Sequence, residues 1–275
     1  QMCIRDRYTS AGILTSNLAL HYNFADSNTY AGSGTTVSDL TSNNNDGTLV
    51  NGPVFIDRAN GNYFDFDGSN DQLNLPDGDL GLGTNDFAVE CWFNSEDIAQ
   101  NDQSLFWLQH YQSPIRIGAS VSASSYGGDN DIRFYCMISG SGNQAFTNSN
   151  IIDGNKWYHA TFVKSSTAGM SVYINGILVA TNATATAAVN NNVTSGGKNT
   201  IAYYKTTASS GYFDGRIWQF IAYSTTLTQA QIRANYDATR TLYQGVGTTA
   251  NVLQTGLLNN IDVDSYSSYD PNSFG

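Results

Sequence analysis

Short runs of alternating apolar residues, cut every few positions by Asn, Asp, Gly or Ser, constrain this chain more than any other feature. Between Phe87 and Phe93, the residues Phe87, Val89, Cys91 and Phe93 fall on one side and Ala88, Glu90 and Trp92 on the other, the period of two of a β-strand. Phe134, Cys136 and Ile138 alternate with Arg133, Tyr135 and Met137 in the same way. Val172 and Ile174 are mirrored by Ile177 and Val179 across Asn175-Gly176, a step that tolerates the positive φ demanded at both central positions of a type I′ hairpin. Further strands are predicted at 18–24, 47–50, 63–66, 72–75, 104–109, 115–121, 157–164, 200–204 and 212–223. Many short strands separated by turn residues predict an all-β, two-sheet antiparallel sandwich. One short C-terminal helix is expected, because Thr228-x-x-Gln231 forms a capping box and Ile232 and Tyr236 then share a helix face.

The chain of 275 residues carries 23 acidic and 12 basic side chains, a net charge of −11. That balance opposes nucleic-acid binding, which needs a basic footprint. No run approaches the length of a membrane span, and the first residues do not read as a signal peptide. Cys91 and Cys136 lie inside strand-like runs and read as small core residues, with a disulfide between them left open by the sequence. No Cys/His cluster points to zinc. The sequons at Asn182 and Asn192 matter only in a glycosylating host.

Catalysis is tested by the acids. Glu90 and Glu96 are the only glutamates, and Glu90 is followed at i+2 and i+4 by Trp92 and Asn94. A retaining glycosidase on a sandwich needs carboxylates alternating on one strand, about 5 Å apart, so this chain is not expected to be an enzyme. His21, His110 and His159 are scattered, and no nucleophile elbow is present. Aromatic rings flanked by amides and acids suit sugar binding instead, because rings stack on C–H faces and amides bond hydroxyls. Three stretches fit: 107–114, 122–131 and 203–212. Their candidate ligand-binding residues are Trp107, His110, Tyr111, Tyr126, Asp129, Tyr203, Tyr204 and Tyr212.

Several phrases also fall in one order: DGTLVNGP at 46–53, FDFDGSNDQLNLP at 64–76, FAVECWF at 87–93, NKWYHATFVK at 155–164, VYINGILVA at 172–180 and FDGRIWQFIAYSTTLTQAQIRANY at 213–236. Over about 18–240 this succession resembles a laminin G-like, concanavalin A-like jelly-roll domain. The opening phrase at 29–49 and Gly61–Asp71 are similar to those of bacteriophage and environmental viral structural proteins. The resemblance implies a carbohydrate-binding or surface-recognition module of a virion fibre or decoration, or of an extracellular protein. Its partners would be glycans, cell-surface polysaccharide or other virion subunits. The alternatives are a purely structural protein–protein spacer and, less favoured, a glycoside hydrolase.

The resemblance further implies a structural calcium held by Asp39, Asn43, Asn45, Asp46 and Asp214. Asn23 and Trp218 stand where the family often has an acid. Hard cations take six to eight oxygens, and a tight Asp/Asn turn supplies several; Asx hydrogen bonds would account for the same residues without an ion. Residues 1–10 are read as a non-native or disordered leader, because MCIRDR resembles an adapter-derived sequence. Residues 11–242 form the sandwich. Residues 243–275 read as a linker and the start of a second copy, since 252–257 echo 13–18 and Tyr269 repeats Tyr30.

Overall fold

The structure, a computed structural model, describes residues 12–58, 61–78, 80–82, 86–99, 103–110, 117–122, 131–138, 141–147, 150–189, 198–205 and 210–244. The first strands are β1 (Leu18–Asn23), β2 (Thr36–Val37), β3 (Gly47–Val50), β4 (Val54–Ile56), β5 (Tyr63–Asp67) and β6 (Gln72–Leu75). There follow β7 (Phe87–Ser95), β8 (Gln103–His110), β9 (Ile117–Ser122), β10 (Asp131–Ile138), β11 (Ser141–Phe146) and β12 (Tyr158–Ser165). The last are β13 (Gly169–Ile174), β14 (Ile177–Asn182), β15 (Lys198–Ile201), β16 (Tyr203–Lys205), β17 (Ser210–Tyr212), β18 (Asp214–Tyr223) and the helix α1 (Gln229–Gln244).

Two antiparallel sheets result. The first runs β14-β13-β12-β7-β18-β5-β4, with β1 beside β18; the second runs β11-β10-β9-β8-β15-β6-β3-β2. β16 and β17 form a separate hairpin. This is the predicted jelly-roll sandwich. The alternation read for β7 is realised: Phe87, Val89, Cys91 and Phe93 enter the core between the sheets, and Ala88 and Trp92 join clusters on the other face. Edge-to-face rings from both sheets lock that core, with Phe106 and Phe162 at 5.5 Å and Phe106 and Phe220 at 5.4 Å. Burying each such ring is worth roughly 1.5–3 kcal/mol. Cys91 and Cys136 are both buried and free. The hairpin turn at Asn175 and Gly176 has φ of 52° and 76°, as the type I′ reading requires.

Four strands are absent from the sequence reading. β2, β4 and β17 are two or three residues long, and β11, SGNQAF, has no alternation to announce it. The run predicted at 200–204 is split at Ala202, whose φ of 66° breaks the ladder and turns the chain from β15 into the β16–β17 hairpin.

Helix α1 starts at the expected box. The Thr228 amide N–H donates to Gln231 Oε1 at 2.9 Å and the Gln231 N–H donates to Thr228 Oγ1 at 3.3 Å. The helix extends well past Tyr236, to Gln244. Ile232, Asn235, Tyr236 and Thr239 are all buried, one stripe at i, i+3, i+4 and i+7. That stripe lies on the outer face of the first sheet: Tyr236 stacks on Trp92 at 5.8 Å, and the Trp92 indole N–H donates to Thr239 Oγ1 at 3.0 Å. The outer face of the first sheet is thereby capped.

Candidate functional site

The site is built on an unbroken row across the second sheet. Thr48 pairs with Asn74, Asn74 with Thr200, Thr200 with Trp107, Trp107 with Gly118, Gly118 with Tyr135 and Tyr135 with Gln144. Directly paired residues point to the same face. The core takes the alternate positions, such as Leu73, Phe106, Ala119 and Phe134, so this row faces outward.

Aromatic rings occupy its middle. Trp107 lies over β9 at Gly118, where any Cβ would collide with the indole. Tyr135 spreads over Gly142 of β11 in the same manner. Trp107 and Tyr135 are 5.5 Å apart with an interplanar angle of 40°. On the other side Trp107 stacks with Tyr204, at 5.1 Å and 28°.

Tyr204 belongs to the hairpin, and neighbours on a strand point to opposite faces. While Tyr204 reaches down to Trp107, Tyr203 and its cross-strand partner Tyr212 turn the other way. Their rings stack at 4.5 Å and 21°, and both stay half-buried. Partial burial pushes the Tyr203 hydroxyl up to about 12, with Tyr212 adding to the shift. Polar groups flank the rings. Gln72 Nε2 donates to Asn74 Oδ1 at 2.7 Å, and the Arg133 guanidinium donates to Ser120 Oγ through Nε and Nη2 at 3.2 and 3.0 Å.

Four of the sequence-selected residues, Trp107, Tyr203, Tyr204 and Tyr212, are therefore brought together. Trp107 and Tyr204 form the buried base, and Tyr203 and Tyr212 the outward pair. His110 ends β8 opposite Lys198. Tyr111, Tyr126 and Asp129 lie outside the described residues. Sequence reasoning missed Tyr135, Arg133, Ser120, Thr200, Asn74 and Gln72. Their alternation within strands was visible, but the strand order that sets them beside Trp107 was not.

The residues chosen for calcium separate into two places. Asp39 Oδ1 accepts from the His21 and Thr41 N–H groups, both at 3.0 Å. Asp39 Oδ2 accepts from the Thr41 hydroxyl at 2.7 Å and the Asn45 N–H at 3.0 Å. Asp46 Oδ1 accepts the Asp39 N–H at 2.8 Å. The amides of Asn43 and Asn45 donate to the Ala19 carbonyl, at 2.9 and 3.0 Å. The Asp39 carboxylate is satisfied by N–H and O–H donors, which point positive hydrogens where a cation would sit. Asp214 is elsewhere, paired with Asp67 on β5. Burial and then the charges of Asp97, Asp65 and Asp67 raise its carboxyl. The five residues do not fit one calcium cage, and among the described residues no group of three or more His, Cys, Asp or Glu side chains is arranged to hold a metal.

The two glutamates both belong to the first-sheet side. Glu90 is buried under α1, and Glu96 forms an ion pair with Arg216. Among the described residues no helix is long and apolar enough to cross a membrane.

The sequence profile of the concanavalin A-like lectin/glucanases superfamily, in its third laminin G form, matches residues 67–233. The match covers more than half of the chain, and the protein belongs to that family. No curated protein sequence matches it. Among solved structures it is similar to domain 4 of AbnA, an extracellular GH43 arabinanase from Geobacillus stearothermophilus in complex with arabinotriose. That likeness has a TM-score of 0.61 and 21% identity over 80% of this chain and 98% of the other. It is also similar to the binding domain of Paraclostridial Mosquitocidal Protein 1, with a TM-score of 0.59 and 14% identity over 86% of this chain and 53% of the other. The binding domain of botulinum neurotoxin DC in complex with SialylT gives a TM-score of 0.58 and 14% identity over 81% and 52%. The chain spans about half the length of these toxin binding domains.

Proposed function

We propose that this domain is a non-catalytic carbohydrate-recognition module whose contact surface is the stacked Tyr203–Tyr212 pair, seated on the second sheet by Tyr204 and Trp107. The observation that carries this reading is the pair itself: two half-buried rings at 4.5 Å, held outward by a hairpin whose opposite face is anchored in aromatic packing. Such rings stack on sugar C–H faces, and the same sheet carries the half-buried amides of Gln72 and Asn74, groups that pair with hydroxyls as donors and acceptors. The arabinanase domain holding arabinotriose and the toxin domain holding SialylT have the same fold, which supports a sugar as the ligand. A non-catalytic role is supported by the acids. Asp131 is the only acidic residue in the strands of the second sheet, whereas glycoside hydrolysis takes a pair of carboxylates on one face. The setting we propose is a virion fibre or another extracellular assembly. The viral-type phrases support it, and repeated copies would offset weak single-site affinity.

A glycan array probed with the full chain, in calcium and in EDTA, tests this reading. Binding to a defined sugar class, lost in Tyr203→Ala and in Tyr212→Ala with the fold intact, is the expected result. A second reading, docking of a protein partner, is favoured by Phe146 and Leu178, which are 40% and 43% exposed. They lie on β11 and β14, edge strands tied by the Asn182 amide donating to the Gln144 carbonyl at 2.9 Å. A silent array combined with assembly lost in Phe146→Ser would select it.

A further inference from the structure

The outward row of the second sheet changes exposure along its length. Thr48 is exposed and Asn74 half-buried, but Thr200, Trp107 and Gly118 are buried, and only at Tyr135 does the row begin to open again. The cover over the middle includes the β16–β17 hairpin. Tyr204 lies on Trp107, and the Thr200 hydroxyl donates to the Tyr203 carbonyl at 2.5 Å, so that hydroxyl is spent within the protein. Thr200 is 2% exposed and Trp107 5%.

Strands in a sheet are about 4.8 Å apart. The covered positions on β15, β8 and β9 therefore interrupt the face for roughly 10–15 Å. A linear polysaccharide crossing the strands would have to pass through the hairpin. It would also lie over Thr200 and Ser120, whose hydroxyls already serve Tyr203 and Arg133. The hairpin instead offers a single stacked pair of half-buried rings, room for one sugar ring at a time.

We infer that the site takes a glycan terminus or a short side branch, not the interior of a linear polysaccharide chain. This rests on the carbohydrate reading above, and it adds the part of the glycan that is recognised. The hairpin divides the sheet face and acts as an end-stop against which the last sugar ring stacks.

Isothermal titration of the full chain with linear arabino-oligosaccharides and laminari-oligosaccharides, each from disaccharide to hexasaccharide, and with sialyllactose tests the inference. For the probe that binds, Kd is expected to stay within about twofold along the series. Partial hydrolysis of the matching polymer should then raise the amount of protein bound in proportion to the new chain ends. Affinity that climbs more than about tenfold from disaccharide to hexasaccharide, the gain of added subsites, overturns the end-stop while leaving carbohydrate binding in place. Binding to none of these probes by protein of native circular dichroism removes the carbohydrate reading and the inference with it.

Discussion

Asn235 of α1 donates its side-chain amide to Glu90 Oε2 at 2.8 Å, tying the capping helix to the middle of the first sheet. The same carboxylate accepts from the Thr161 hydroxyl at 3.1 Å, and the Asn235 amide oxygen accepts the Leu14 N–H at 2.8 Å. One buried carboxyl thus joins the helix to β7 and β12, and through Asn235 to the segment ahead of β1. Removing one partner of such a network strands the others without solvent, at about 1–3 kcal/mol per orphaned group. Asn235→Ala should lower unfolding free energy by about that amount in urea titrations, without changing glycan affinity, because the proposed contact surface lies on the other sheet.

The same contact gives the domain a pH signature. Burial pushes the Glu90 carboxyl up to about 7. Its folded pKa therefore exceeds the ordinary glutamate value of 4.5. The stability it carries is complete below about pH 4.5 and is lost as pH rises toward 7, on the order of 3 kcal/mol over that span. His159 and His21 act in the opposite sense. Burial lowers them to about 3 and about 4, so their contribution is present above pH 6.5 and is lost as pH falls toward those values. Melting temperature should fall on both sides of an optimum in the mildly acidic to neutral range. Glu90→Gln should remove the decline contributed between pH 4.5 and 7 and keep the acid limb. An unchanged profile in that variant would show that Glu90 is ionised at no cost.

Gly118 is the point where β9 admits the Trp107 ring. A methyl group there would collide with the indole, and overpacking of this kind costs about 1–3 kcal/mol. Gly118→Ala should lift Trp107, unseat Tyr204 above it and shift the near-ultraviolet circular dichroism of the aromatic stack. Glycan affinity should fall about tenfold, equivalent to roughly 1.4 kcal/mol, although neither Tyr203 nor Tyr212 has been altered.

The alternation in β7, β10 and the Asn175–Gly176 hairpin made the sandwich legible, because one buried face imposes a period of two on the sequence. The capping box did the same for the start of α1, although not for its end. Trp107, Tyr203, Tyr204 and Tyr212 were legible as aromatics flanked by amides and acids. Their division of labour was not, because it depends on Ala202 adopting positive φ and folding the next residues into a hairpin over β8. β11 was invisible because SGNQAF sits at a sheet edge and buries little beyond Ala145. Asp214 opens β18 opposite Asp67, whereas Asp39 is held at the His21 N–H of β1, which pairs with Ile221 further along β18; that register was not written in the sequence.

The Asp39 loop supplies the last expectation. Both Asp39 oxygens are taken by four donors from His21, Thr41 and Asn45, and Asp46 in turn holds the Asp39 N–H. A loop closed by its own donors holds its shape without an ion. Millimolar calcium or EDTA should therefore move the melting temperature by less than about 2 °C, well short of what occupancy at 100 times Kd would contribute, about 2.7 kcal/mol. Asp39→Ala, by contrast, should cost about 1–3 kcal/mol, because it orphans N–H groups packed between β1 and the loop. A calcium-dependent rise of several degrees that Asp39→Ala abolishes would mean that the loop rearranges to turn its oxygens toward the ion, with the present hydrogen bonds as its ion-free form.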